Sequence, residues 1–256
     1  VALSSQPTAN VTVGITSSDP TEGTVDKASL TFTSANWNTP QTVTVTGMDD
    51  AQVDGDVAYE IVTAAATSTD SNYNGKNPSD VGVTNTDNDT AAITVNPTSG
   101  LVTTEAGGLA TFTVALSSQP VADVTIGLSS SKPAEGTVAP TSMIFTSANW
   151  NVAQTATVTG VDDLVVDGDV AYTIVTAAAV SADPNYNGKN PADVGATNQD
   201  NDTAGIVVNP TAGLVTAEAG GTATFTVALS SQPTANVTVG ITSNDLTEGT
   251  VAPASL

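Results

Sequence analysis

Apolar side chains alternate with threonine, serine or alanine along nearly the whole chain, and no stretch carries the three-to-four-residue spacing of an amphipathic helix. Thr111-Phe112-Thr113-Val114-Ala115-Leu116 places Phe112, Val114 and Leu116 on one side of an extended segment. Asp123-Val124-Thr125-Ile126-Gly127-Leu128 does the same with Val124, Ile126 and Leu128. Further strands are predicted at 142–146, 155–159, 170–175 and 206–208. Clusters of Gly, Pro, Asn and Asp separate these runs at intervals of roughly 8–12 residues, the punctuation of an all-β sandwich.

The pattern is also written more than once. Val1-Ala2-Leu3-Ser4-Ser5-Gln6-Pro7 returns at 114–120 and again at 227–233, a constant offset of 113 residues. A fixed period makes the repeat the folding unit, and about 113 residues is close to the commonest domain size. Asp87-Asn88-Asp89-Thr90 recurs as Asp200-Asn201-Asp202-Thr203, each time just before a fresh strand. With that phase, 91–203 is one complete unit, 1–90 a unit lacking its first strands, and 204–256 the opening strands of a third. Two segments stand outside the strand pattern. Asn72–Pro78 and its copy Asn185–Pro191 form a polar insertion with an Asn-Gly turn, expected as a surface loop. Trp37 and Trp150 sit beside strands, where a core or sandwich-end plug is expected.

Composition narrows the partners. Acidic residues number 26 against four lysines, the net charge is −22, and there is no Arg, His or Cys. Nucleic acid is excluded, because its binding depends on basic residues that neutralise phosphates, and an anionic membrane surface is disfavoured in the same way. No apolar run approaches the ~20 residues of a membrane-spanning helix, so no membrane insertion is expected. Without cysteine, packing or metal must hold each unit together. A long acidic, threonine-rich array of this kind matches extracellular, cell-surface or secreted repeats.

The acids are not scattered. Asp162-Asp163-Leu164-Val165-Val166-Asp167-Gly168-Asp169 places four carboxylates in eight residues, and Asp200 and Asp202 close the unit. Glu105 lies in an early Glu-Ala-Gly-Gly stretch, and its copy Glu218 opens the next unit. The first copy carries Asp49, Asp50, Asp54, Asp56, Asp87 and Asp89. All recur between copies, although Ala51-Gln52-Val53 becomes Leu164-Val165-Val166. Carboxylates crowded in this way repel unless a cation lies among them. Calcium (Ca2+) takes six to eight oxygens from flexible loops at about 2.3–2.6 Å, whereas the ligands preferred by zinc or copper are missing. Were the acids only solubilising, they would be spread over the strand faces, which carry Thr and Ser instead. The EF-hand spacing is absent, so the site is of another type.

Glu105-Ala106-Gly107-Gly108, the Asp162-Asp163 pair closing a long strand, the acids before a strand carrying Tyr172, and the terminal Asp200-Asn201-Asp202 together resemble the Calx-beta domain. They are also similar to the tandem sandwich repeats of large bacterial surface adhesins. The resemblance spans nearly all of 91–203. It implies tandem Greek-key (Ig-like, Calx-beta-like) β-sandwich repeats of 113 residues, with calcium at one end beside the junction. Glu105, Asp162, Asp163, Asp167, Asp169, Asp200 and Asp202 are then the ligands. Two departures stand out: Asp167-Gly168-Asp169 replaces the glutamate usual in the family, and the Asn-rich insertion is additional.

The expectation is a calcium-rigidified extracellular repeat that extends an adhesin or biofilm protein, with neighbouring repeats of the same chain as partners. The alternative is a structural repeat in which identical chains polymerise into a fibre, sheath or surface layer. An enzyme is not expected. The adjacent Asp162 and Asp163 point to opposite sides of an extended segment, and a catalyst has no use for several copies of one site.

Overall fold

The computed structural model describes all 256 residues, and every regular element in it is a β-strand. Two compact units are present, Val1–Ala92 with Ser117–Ala122, and Ile93–Leu116 with Asp123–Leu256.

In the first unit, β1 (Val11–Ser17), β2 (Gly23–Val25), β3 (Ser29–Phe32), β4 (Val45–Gly47), β5 (Val57–Thr63), β6 (Thr67–Ser68) and β7 (Val81–Asn85) form two sheets. One has the order β3-β1-β5-β7 with β6 also on β1, and the other pairs β2 with β4. Alternate residues of β1, Val11, Val13 and Ile15, face a core that also holds Leu30, Phe32, Tyr59 and Ile61.

The second unit contains β8 (Ile93–Asn96), β9 (Leu101–Thr104), β10 (Leu109–Leu116), β11 (Val124–Ser130), β12 (Gly136–Ala139), β13 (Ser142–Phe145) and β14 (Gln154–Gly160). It continues with β15 (Val170–Thr176), β16 (Val180–Ser181), β17 (Val194–Gln199), β18 (Ile206–Asn209) and β19 (Thr226–Leu229). The order β12-β14-β10-β8 makes one sheet and β13-β11-β15-β17-β9 the other, with β16 on β11 and a separate β18-β19 pair. The connections jump between sheets, as in a Greek key. The period-2 reading holds residue by residue: Phe112, Val114, Leu116, Val124, Ile126 and Leu128 are all buried.

All but one of the strand pairs are antiparallel. The exception decides where the acids go: β9 runs parallel to β17, with Thr104 level with Gln199. One residue further, Glu105 and Asp200 leave the sheet side by side. β14 ends at the same edge, where the Gly160 N–H donates to the Gly108 carbonyl (3.0 Å). β15 begins there too, with Val170 opposite Asn198. Gly160 must be glycine, because a Cβ would stand 2.2 Å from the Thr104 carbonyl oxygen.

Two expectations are revised. The Asn-rich insertion is a turn, but its tyrosine is not a surface group: Tyr186 is 1% exposed and the adjacent Asp183 is buried as well. Trp37 and Trp150 are half-buried, in the turns after β3 and β13, so of the two expected places, core or sandwich end, the core is excluded.

Candidate cation site

Five chain segments deliver carboxylates to one end of the second unit. Glu105 follows β9, Glu135 precedes β12, Asp162 and Asp163 follow β14, Asp167 and Asp169 precede β15, and Asp200 and Asp202 follow β17. Carboxylate oxygens of Glu105, Asp200 and Asp202 lie within 4.8 Å of one another, and so do those of Glu135, Asp163 and Asp167.

Backbone hydrogen bonds hold this arrangement. The Glu105 side chain is 2% exposed and accepts from the Asn201 N–H (2.9 Å). Asp200 accepts from the N–H groups of Asp202 (2.7 Å) and Gly168 (2.8 Å). The Asp200 N–H in turn reaches Asp169 (3.3 Å). Asn201 Nδ2 donates to Asp162 (3.1 Å), and Asp163 accepts from the Val165 N–H (2.7 Å). Asp167-Gly168-Asp169 thus makes a turn whose central N–H, at a glycine with φ of 77°, ties the loop to the end of β17.

The first unit repeats the network at the 113-residue offset. The Gly55 N–H donates to Asp87 (2.8 Å), the Asp87 N–H to Asp56 (3.1 Å), and the Asp89 N–H to Asp87 (2.8 Å). Asn88 Nδ2 donates to Asp49 (3.1 Å), and the Gln52 N–H to Asp50 (2.8 Å). A cleft there is lined by Glu22, Asp49, Asp50, Asp54, Asp87 and Asp89. Glu218 joins neither group and is exposed in a turn between Ala217 and Gly221.

Glu22 and Glu135 are the members that sequence reasoning passed over. A signal was available: Glu-Gly-Thr-Val recurs at Glu22, Glu135 and Glu248 while the residues before it drift from Asp-Pro-Thr to Lys-Pro-Ala to Asp-Leu-Thr. Their backbones are fixed alike, with the Met48 N–H on the Glu22 carbonyl (2.9 Å) and the Val161 N–H on the Glu135 carbonyl (3.0 Å).

The electrostatics are those of a site short of positive charge. Asp202 Oδ2 is buried with no hydrogen-bond partner. Burial, followed by the charges of Asp200, Asp162 and Asp163, pushes the Asp202 carboxyl above the ordinary range. Asp89 is raised in the same way by burial and by Asp87, Asp49, Asp50 and Asp54. At Glu105 the Asn201 N–H pulls downward, but burial and the charges of Asp200, Asp163 and Asp202 prevail and leave it raised. Asp200 is lowered by the N–H groups of Asp202 and Gly168, and Asp87 by those of Asp89 and Gly55. A carboxyl raised on folding contributes stability that grows as pH falls through its folded pKa, whereas a lowered one loses its contribution on protonation. In chelator, the melting temperature should therefore rise as pH falls from neutral toward the upper edge of the carboxylate range, where Asp89, Glu105 and Asp202 take up protons. It should fall again once Asp87 and Asp200 are protonated. A melting series against pH checks this, and a steady decline from neutral downward would contradict it.

No protein-family model matches the chain, and no characterised protein matches its sequence. Solved structures share its architecture at low identity. Domains 4 and 5 of the S-layer protein SbsC are 17% identical over 73% of this chain and 77% of theirs, with a TM-score of 0.33. CBD12 from CALX1.2 is 14% identical over 66% of this chain and 68% of its own, with a TM-score of 0.34. WR4, an MSP family member of C. elegans, is 16% identical over 42% of this chain and 95% of its own, with a TM-score of 0.28. The likeness is one of β-sandwich architecture, and none of their roles transfers to this chain.

Proposed function

We propose that this chain is a stretch of calcium-rigidified extracellular repeats, with units at 1–90, 91–203 and 204–256, that extends a cell-surface adhesin or biofilm protein. The observation that carries this reading is the grouping of Glu105 and Asp200 with Asp202, whose Oδ2 is buried and unpaired, beside a second group of Glu135, Asp163 and Asp167. A buried polar atom without a partner is costly unless something fills the role. The surrounding donors are all oxygens, which suits calcium. Glu105, Asp200 and Asp202 would hold one ion, and Glu135, Asp163 and Asp167 another. The ion supplies the positive charge that lets these carboxylates share one end of the sandwich. The chain's own residues do the rest: Asn201, Gly168 and Val165 N–H groups orient the acids, and Gly160 lets β14 enter the cluster. The role is mechanical and non-catalytic, with the ion tying the end of β17 to the loops before it leads into the next repeat.

A second reading, lateral assembly of identical chains into a fibre or surface layer, is favoured by the outer sheet faces. On β12-β14-β10-β8 the outward positions include Thr94, Thr111, Thr113, Thr137, Thr155 and Thr157, with no charged residue. On the opposite sheet Val102, Ile144, Val175 and Val180 are exposed. Scattering and sedimentation separate the two readings. An extending repeat stays monomeric at high concentration, and its maximum dimension grows when calcium replaces chelator. Concentration-dependent sedimentation of large species would instead establish the polymer, and a monomer whose dimensions ignore calcium would defeat the stiffening role.

A further inference from the structure

The most literally repeated motif of the chain, Leu-Ser-Ser-Gln-Pro at 3–7, 116–120 and 229–233, has no part in the site just described. Its contacts point in two directions. Toward its own repeat, the first copy is anchored by the Asn-rich insertion. The Ser5 N–H donates to the Tyr73 hydroxyl (3.0 Å), which donates to the Ser5 carbonyl (2.5 Å). The Thr8 N–H donates to the buried Asp70 (2.8 Å), which also accepts from the Asn72 N–H (3.0 Å). The Asn-Gly turn between them is closed by the Gly75 N–H on the Ala66 carbonyl (2.8 Å).

Toward the preceding repeat, the later copies grip the acidic end at two places. The Gln119 N–H donates to the carbonyl of Ala51, inside the acidic loop, at 2.6 Å. Ser117 Oγ donates to the carbonyl of Thr90, the residue after Asp89, at 2.5 Å and accepts from the Ala92 N–H at 2.6 Å. Both grips recur one period later: Gln232 N–H to the Leu164 carbonyl (2.6 Å), and Ser230 Oγ to the Thr203 carbonyl (2.6 Å). The loop contact is made to a backbone carbonyl, which is why Ala51 can become Leu164 without loss of the bond. Thr90 and Thr203 directly follow the two aspartates, Asp89 and Asp202, that burial and neighbouring charge raise.

We propose that the Ser-Ser-Gln segment of each repeat is a clasp that closes the acidic end of the repeat before it, so that the cation there is bound more tightly when the next repeat is docked. The coupling rests on the calcium reading above; the clasp contacts do not. A loop already ordered by the clasp loses less conformational freedom when it takes up an ion. By reciprocity the ion strengthens the docking of the following repeat by the same factor. The Asn-rich insertion then has a purpose: in the first copy Tyr73, with Asp70 just before the insertion, holds the segment to its own repeat.

The two acidic loops of this one chain control for each other. Amide resonances of Gly55 and Gly168, each bonded to an aspartate of its own cluster, report calcium binding loop by loop in the full 256-residue chain. Ser117→Ala should weaken binding at Gly55 about fivefold, the low end of ordinary coupling between sites, while Gly168 stays within about twofold of wild type; Ser230→Ala should do the reverse. Ser117→Thr, which keeps the hydroxyl, should restore the first loop, and an unchanged Gly168 titration shows that the variant is folded. Hydrogen exchange reads the clasp without calcium, and the Gln119 and Gln232 amides should be protected in chelator and more so with the ion. Free exchange of those amides, or a Gly55 titration that Ser117→Ala leaves unchanged, would overturn the proposal. If neither glycine of the wild type responds to calcium, the calcium reading fails and the coupling falls with it. A responsive wild type with an indifferent variant sinks the coupling alone.

Discussion

Calcium at about a hundredfold its dissociation constant should raise the melting temperature of the chelated chain by on the order of 10 °C for each unit that takes up an ion. Binding to the folded state alone contributes about 2.7 kcal/mol at that excess, and a repeat of roughly one hundred residues shifts by about 4 °C or more per kcal/mol. Sodium chloride at matched ionic strength should give far less, because general screening supplies no ligand bonds and acts weakly between carboxylates only a few ångströms apart. Asp162→Asn together with Asp163→Asn should remove the part of the shift that belongs to the second unit and leave that of Asp49 and Asp50 in the first. Equal responses to calcium and to sodium would reduce the acids to solubilising charge, and the lateral-polymer reading would then lead.

Replacing Glu105 by glutamine should reverse the order of stability between two conditions. The side chain is almost wholly buried beside Asp200 and Asp202, and accepts the Asn201 N–H. A carboxamide oxygen can still accept that bond, so the substitution removes charge and little else. In chelator the variant should melt a few degrees above wild type, since one of three mutually repelling groups is gone. In saturating calcium it should melt below wild type, because one anionic ligand has been lost. Calorimetry of both proteins in both conditions decides the matter. A variant less stable than wild type in chelator would show that Glu105 serves as a structural hydrogen-bonding group whose charge is already compensated.

The strands could be read almost directly. β10 was expected over 111–116 and runs Leu109–Leu116, β14 was expected over 155–159 and runs Gln154–Gly160, and the buried faces agree residue for residue. The reason is physical: one face of each strand meets a core and the other water, so the period-2 alternation records orientation at every position. The insertion misled because its composition is polar. Asp183 and Tyr186 are buried all the same, and in the first copy the Tyr73 hydroxyl and the Asp70 carboxylate find their partners in Ser5 and Thr8, more than 60 residues earlier in the chain.

Sequence by itself determined the fold class, the 113-residue period and the acidic loops, because alternation, repetition and charge are all local properties of the chain. Tertiary structure alone decided which acids meet. Glu105 and Asp200 come together through the parallel pairing of β9 with β17, residues some 95 positions apart whose register no local pattern encodes. Glu135 enters the cluster because β12 pairs with the end of β14, Gly136 opposite Gly160. The Ser-Ser-Gln segment could be recognised as a repeat, but its grip on Ala51 and Leu164 could not. Those contacts are made to backbone carbonyls, which every residue possesses and no sequence motif distinguishes.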